Sequence, residues 1–388
     1  MNFVIISPYF PNNFQKFADR LNKQGVTVLG VGMEPYDHLG SSLQGALTEY
    51  FRVNNLEDQE EVKRALAFLF WKHGPLDRIE SHNEHWLDLD AELREQFNMT
   101  GVRPKDLIKT NFKSEMKKNF EKAGVPVVPG AVVKNHAELD KAIKKINFPV
   151  IAKPDSGVGT AGTYRLNTKE DVDHFKQKWK QKVPYFIEAF VDEAELVAYD
   201  GLLDKKGNVI FETSFVYSMP TLDILKDGAA FSFTVQKEID PKLKEYGRAI
   251  LKEFGMKERF FHIEFFKQAN GDYVALEYNN RLAGGNAVDT YNTAYSIDLY
   301  DEYARMIVDK EFKGTDLPNQ FAMYVARRDN ATYKHSLAEA RKHFGKNFRI
   351  HERTPTAFSD IMGNEFIIVT FDTEEEVKAG EEYLLALA

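Results

Sequence analysis

Two carboxylates and an amide stand at a spacing that suits a divalent cation. Glu264 and Glu277 are 13 residues apart, and Glu277-x-Asn279-x-Arg281 follows. If the two segments pair as a hairpin around Asn270-Gly271, the acids face each other on neighbouring strands, and Asn279 shares their face at i+2. Opposed carboxylates repel unless a cation lies between them. Such a hard-oxygen set suits Mg²⁺ held between protein and nucleotide phosphates. The plain alternative is a pair of solvated strand acids. The flanking Phe260, Phe261, Phe265, Phe266, Val274 and Leu276 argue instead for core strands. Arg281 can bind an anionic substrate group or a phosphoryl in transfer.

Lys153 ends the apolar run Pro149-Val150-Ile151-Ala152, where an unpaired charge is costly. Asp155-Ser156-Gly157-Val158-Gly159-Thr160-Ala161-Gly162 comes next and contains a literal GxGxxG. No helix opens directly after it, as a dinucleotide site requires, and Thr163 stands where a P-loop has Lys. HRD and DFG motifs are absent downstream. What remains is a strand–loop–strand flap. Either its amides fold over phosphates through Gly157, Gly159 and Gly162, or it is an ordinary hairpin turn. Lys113 lies beside Lys117 and Lys118 on a helix, which reads equally as a solvated face. Glu188-Ala189-Phe190-Val191 and then Glu195 can form a hinge whose backbone edge reads adenine, with Glu195 on ribose; the alternative is two ordinary strand acids. His82-Asn83-Glu84-His85 lacks HExxH spacing, and metal binding is not inferred there. Glu84 follows a strand of the first sheet and is either a substrate contact or a helix N-terminal acid.

Strand and helix patterns alternate over the first hundred residues. Strands are predicted at Phe3 to Ser7, Val26 to Val31 and Arg78 to Ser81, with helices between, which implies a parallel doubly wound sheet. Helices are predicted from Lys113 to Ala123 and from His136 to Ile146, then a strand from Phe148 to Lys153. Strands crowd from 186 onward, at 186–191, 195–203, 208–217 and 231–236. The helix 240–254 precedes the hairpin Phe260 to Lys267 and Tyr273 to Asn279. Three further strands are expected at 321–326, 347–351 and 365–370.

The 388 residues carry a net charge of −8, 43% apolar side chains and no cysteine. Cysteine-free composition excludes disulfides, thiolate metal sites and cysteine nucleophiles, and fits a reducing cytoplasm. The acidic balance argues against nucleic acid as a partner. No apolar run has membrane-helix length, and the N-terminus reads as a strand rather than a signal peptide. No repeats appear, and the length suits two or three domains.

In order along the chain, these motifs resemble the ATP-grasp superfamily, in particular its carboxylate–amine ligases. The matching pieces are Lys113 eleven residues before Gly124, Pro149-Val-Ile-Ala-Lys153-Pro with its glycine turn, Glu188-Ala-Phe-Val191 with Glu195, His262-Ile-Glu264-Phe, and Glu277-Tyr-Asn279-Asn-Arg281-Leu-Ala-Gly284-Gly285. The resemblance implies a Rossmann-like N-terminal domain (1–105), two α+β subdomains clamping ATP (106–185 with the flap, 186–310 with the metal site) and a small C-terminal lid (311–388). It implies that Lys113 and Lys153 contact ATP phosphates. Glu188, Ala189 and Val191 would line the adenine pocket, and Glu195 would hold the ribose. Glu264, Glu277 and Asn279 would ligate two Mg²⁺, with Mn²⁺ as a substitute. Arg281, Lys153 and Glu277 would be the catalytic residues, with Glu84, Arg281, Gly284 and Gly285 toward substrate. The implied activity joins a small carboxylate, such as an amino acid, to an amine through an acyl phosphate, in a cytoplasmic enzyme for which a homodimer is the candidate assembly. Carboxylation through carboxyphosphate and a nucleotide-binding regulatory module are the alternatives. The chain departs from the family's purine carboxylase-type members in lacking a Gly-rich turn after Ser7. It departs from the D-alanine–D-alanine ligases in carrying Arg281 and a long tail. Substrate choice falls to variable loops such as 217–231.

Overall fold

The chain is a mixed α/β protein built on three sheets. The computed structural model describes residues 1–157, 162–192, 194–219, 230–356 and 359–388. The first sheet contains β1 (Asn2–Ile6), β2 (Thr27–Gly32), β3 (Glu49–Arg52) and β4 (Arg78–Glu80) in the order β3-β2-β1-β4, all parallel. Phe3 to Ile6 is a continuous apolar run because helices cover both faces of the strand. Phe3 and Ile5 pack with Phe17 and Leu21 of the helix Gln15–Lys23, while Val4 and Ile6 pack with Leu66, Leu69 and Leu93 on the other face. The helix Gln59–His73 starts where Asp58 accepts from the amides of Glu60 and Glu61, and it stops at Gly74. Strand β3 had no apolar run to announce it. It is a half-exposed edge strand whose backbone pairs with β2.

The second sheet is antiparallel, β5 (Gly130–Val133), β6 (Val150–Pro154), β7 (Tyr164–Leu166) and β8 (Tyr185–Ala189), in the order β5-β8-β6-β7. The third sheet holds β9 (Glu195–Leu203), β10 (Val209–Tyr217), β11 (Phe231–Val235), β12 (Arg259–Lys267), β13 (Tyr273–Asn279), β14 (Phe321–Arg327), β15 (Phe348–Arg353) and β16 (Glu365–Phe371). Its order is β13-β12-β9-β10-β11-β14-β16-β15. The strands of 311–388 therefore extend the sheet of 186–310 rather than forming one of their own.

Two helices tie these layers together. The helix Lys113–Lys122 packs Met116 and Phe120 in one core with Phe254 of the helix Pro241–Phe254 and with Phe261 and Tyr278 of the third sheet. Burying a Phe or Met of this kind stabilises by about 1.5–3 kcal/mol. The helix Gln15–Lys23 docks on Leu299–Ile307, with the Phe17 ring 4.8 Å from that of Tyr300 and Arg20 Nε donating to Asp298 at 2.7 Å. His82, just past β4, stacks on Phe17 and meets the ring of Phe260 on β12 edge-on, which sets the carboxyl end of β4 beside the third sheet. Among the described residues, no helix is long and apolar enough to cross a membrane.

Candidate active site

Strands β12 and β13 pair antiparallel, with Glu264 directly opposite Glu277 and His262 opposite Asn279. The hairpin read from the sequence is present in the register that brings both acids to one face. The two carboxylates have different surroundings. Burial pushes Glu264 up, but the hydrogen bond and charge of His262, joined by Arg281 and Lys153, outweigh it and hold the carboxyl below its ordinary range. Burial also raises Glu277, and the like charge of Glu264 adds to that; Lys113 and Lys153 offset only part, so Glu277 lies above its ordinary range. A second charge-bearing layer stands behind Glu264. His262 Nδ1 lies 2.8 Å from Asp200 Oδ1, and Tyr291 donates to Asp200 Oδ2 at 2.6 Å. Burial lowers His262, yet Asp200 and Glu264 raise it to about 10, so it is a cation. His262 and Asp200 carry no signal of a role in the sequence beyond one: Asp200 is an acid in the middle of the apolar strand β9. Two carboxylates and an amide oxygen are hard donors, and they fit Mg²⁺ if phosphate oxygens and water complete its shell. Among the described residues, no group of three or more His, Cys, Asp or Glu could hold a metal unaided.

Lys113 and Lys153 reach the same place from different elements. Asp155 sets the start of the helix Lys113–Lys122: its carboxylate accepts from Ser114 N and Ser114 Oγ, both at 2.9 Å, and its carbonyl accepts from Lys113 N at 2.8 Å. Lys113 Nζ then lies 3.9 Å from Glu277 Oε1 and donates to the Gly157 carbonyl at 3.3 Å. Gly157 at φ +130° and Gly162 at φ +75° occupy backbone conformations that favour glycine. Gly159 lies outside the described residues, as does most of the segment 217–231. Lys153, at the end of β6, is buried and bonds Glu188 Oε1 at 2.6 Å. Burial lowers its pKa, but Glu188, Glu277 and Glu264 more than compensate and raise it.

Glu188 differs from its expected place. It is only 3% exposed, and its carboxylate engages lysines rather than opening toward a base: Lys153 on one oxygen and Lys117 at 3.2 Å from the other. Burial pushes Glu188 up, but the two lysines overcome this and hold it at about 2. Lys117, read as solvated, is buried and donates to the Ala275 carbonyl at 3.1 Å. One helical turn separates it from Lys113, and that i+4 spacing was the available signal. At the hinge, the amides of Ala189 and Phe190 already donate to Pro129 O and Pro149 O, both at 3.0 Å. That removes the Ala189 N–H from any base and leaves its carbonyl. Among the described residues, Val191 N–H has no backbone partner. Glu195 opens β9 and is largely exposed, with Lys267 Nζ 3.9 Å away.

Arg281 also departs from expectation. Strand β13 ends at Asn279, so Arg281 lies beyond the strand face and turns toward the first sheet. Its Nη2 donates to Glu84 Oε2 at 2.6 Å, and its Nη1 to Leu282 O at 2.8 Å. The two residues expected to flank one substrate thus meet directly. Glu84, Gly157, Glu277 and Asn279 line a cavity of about 500 Å³ between the helices after β4 and strand β13. Gly285 lies in a separate pocket of about 60 Å³ with Asn13, Asn286, Arg353 and Met362, where its carbonyl accepts from Asn13 at 3.2 Å. Gly284, one residue earlier, is exposed.

The arrangement brings two lysines, two opposed carboxylates and an amide together beside an arginine–carboxylate pair. The protein family described as carbamoyl-phosphate synthase L chain, ATP binding domain, matches residues 112–313, more than half of the chain. The chain belongs to that family and is an ATP-grasp protein. It is similar to the L-arginine-specific L-amino acid ligase of Bacillus subtilis, 22% identical over 260 residues, covering 64% of this chain and 62% of that one. It is also similar to the 2-oxoglutarate carboxylase small subunit of Hydrogenobacter thermophilus, 28% identical over 218 residues, covering 52% and 44%. The chain thus spans less than two thirds of the length of either relative. Among solved structures, it resembles an L-amino acid ligase from Bacillus licheniformis (TM-score 0.74, 16% identity, covering 97% of this chain and 95% of the other). It also resembles the biotin carboxylase domain dimer of Hydrogenobacter thermophilus 2-oxoglutarate carboxylase, in complex with MgADP and bicarbonate (TM-score 0.68, 15% identity, 95% and 86%). At these identities the likeness is one of fold.

Proposed function

We propose that this protein is an ATP- and Mg²⁺-dependent ligase that activates a small carboxylate as an acyl phosphate for attack by an amine, with release of ADP and phosphate. The observation that carries the reading is the convergence of Lys113, Lys153, Glu264, Glu277 and Asn279 on one face, next to Arg281 and Glu84. In this reading, residues 1–105 form a Rossmann-like domain, 106–185 and 186–310 clamp the nucleotide, and 311–388 act as a lid. Lys113 and Lys153 hold phosphates and neutralise charge as the phosphoryl moves. The Gly157 and Gly162 turn covers the phosphates. The backbone at Ala189 and Val191 meets adenine, and Glu195 the ribose. Glu264, Glu277 and Asn279 hold two Mg²⁺, which when bound offset phosphate charge and align the phosphoryl group. Arg281 takes the substrate carboxylate in a bidentate grip and keeps it as the acyl phosphate. An amino acid can separate Arg281 from Glu84, its carboxylate facing the guanidinium and its ammonium facing Glu84.

Carboxylation through carboxyphosphate is the second reading, and the fold shared with a bicarbonate-bound carboxylase domain supports it. Both are tested by incubating the protein with ATP, Mg²⁺ and a panel of amino acids, with and without bicarbonate, and measuring phosphate. The ligase reading expects phosphate release that requires an amino acid and ignores bicarbonate. Release driven by bicarbonate alone would replace it with carboxylation. No release under any condition would favour a regulatory nucleotide-binding module.

A further inference from the structure

We propose that Lys117 is a positioning residue for nucleotide binding, a fixed interior partner that keeps Glu188 paired when Lys153 leaves it for a phosphate. The inference rests on the reading above in one respect, that Lys153 serves a nucleotide. The geometry supplies the rest. Lys117, Glu188 and Lys153 form a buried row, with side chains 7%, 4% and 10% exposed. Glu188 touches both ammonium groups, at 3.2 Å to Lys117 and 2.6 Å to Lys153. The two lysines are anchored differently. Lys117 also donates to Ala275 O on β13, two residues before Glu277, so its ammonium is tied to the metal strand. Lys153 has Glu188 as its close partner and sits on β6, at the root of the glycine turn.

Lys153 cannot give its full charge to a phosphate while it holds Glu188. Once it turns away, a buried carboxylate is left, and an unpaired buried charge is strongly unfavourable. Lys117 removes that penalty because it already stands against the other oxygen. Before nucleotide arrives, Glu188 has two partners and needs only one. The second lysine is therefore surplus to the empty protein and required by the loaded one. A buried lysine beside another lysine is itself unfavourable: burial lowers the Lys117 pKa and Lys153 lowers it further, against Glu188, which raises it.

The test is titration calorimetry of the full chain with ADP, with and without Mg²⁺, for wild type, Lys117→Met, Glu188→Gln and the double variant, alongside thermal melts. Lys117→Met keeps Glu188 paired with Lys153 in the empty protein, so it is expected to remain folded while ADP affinity falls at least tenfold. Glu188→Gln leaves no carboxylate to orphan and is expected to bind ADP as well as wild type or better. The double variant is expected to recover most of the affinity lost in Lys117→Met, a coupling that a purely structural lysine would not show. Wild-type affinity in a folded Lys117→Met, or no recovery in the double variant, would overturn the proposal while leaving the ligase reading intact. If Lys117→Met does not fold, weakened ADP binding by Glu188→Gln overturns it instead. If the wild type binds no ADP, both the proposal and the nucleotide role of Lys153 fall.

Discussion

Replacing Glu277 by Gln isolates the metal assignment, because it removes a charge while keeping size and shape. In the folded protein, Glu277 has an attractive neighbour in Lys113 Nζ at 3.9 Å and a repulsive one in Glu264, its direct cross-strand partner. Side chains so opposed have Cβ atoms about 4.5–5.5 Å apart. At an effective dielectric of about 20, unit charges about 4 Å apart interact by roughly 4 kcal/mol, which sets the scale of the attraction to Lys113. Burial and the like charge of Glu264 outweigh what Lys113 and Lys153 return, so removing the charge does not cost stability, and Glu277→Gln is expected to leave folding stability unchanged or slightly raised. Turnover is different. If Glu277 holds cation charge against the transferring phosphoryl, removing it takes away a preorganised electrostatic group, for a loss of about a hundredfold or more. The assay is ADP release against Mg²⁺ concentration, with a urea melt as control. Turnover within about threefold of wild type, in a protein of wild-type stability, would refute the metal assignment rather than the fold.

Arg281→Lys should lose most activity yet keep affinity for a nonhydrolysable ATP analogue, because lysine can meet Glu84 but cannot reproduce a bidentate grip on carboxylate; a large loss of nucleotide affinity by calorimetry would move Arg281 to the nucleotide side. His82 gives a pH prediction. Its ring is stacked 3.9 Å from Phe17, its Nε2 is buried without a partner, and burial, with Arg259 and Arg94 against Glu80, lowers it to about 4. The folded pKa lies below the unfolded value of about 6.5, so the unfolded chain binds more protons between the two. Stability should fall as pH drops through that window, by about 2 kcal/mol from pH 7 to 4.5. His82→Asn, which tolerates φ +58° at that position, should lose this part of the slope in urea melts, and parallel curves would contradict it.

The hairpin of Glu264 and Glu277 was legible because two periodic apolar strands flank Asn270-Gly271, and the pleat then fixes which side chains share a face. The lysine at the end of β6 was legible for a similar reason, a charge closing an apolar run. What the pattern could not convey was partner choice across sequence distance. Glu188 and Lys117 are 71 residues apart, and their meeting depends on how a helix crosses between two sheets. Arg281 seemed to continue a strand because alternation does not show where the ladder ends, and Asn279 is its last residue. Lys117 looked like part of a wet helix face because helical spacing gives the angle around the axis but not what covers it. The tail's strands were visible individually, while their addition to the edge of an eight-stranded sheet was not, since strand order depends on crossovers that local periodicity does not encode.

Oxygen transfer tests the central claim most directly. Amino acids carrying ¹⁸O in the carboxylate are incubated with the protein, ATP and Mg²⁺, and the released phosphate is analysed by mass spectrometry. Activation as an acyl phosphate predicts one ¹⁸O passed from the carboxylate to each phosphate formed. Phosphate free of label, released at the same rate as ADP, would show that no carboxylate of the amino acid was phosphorylated and would contradict the account.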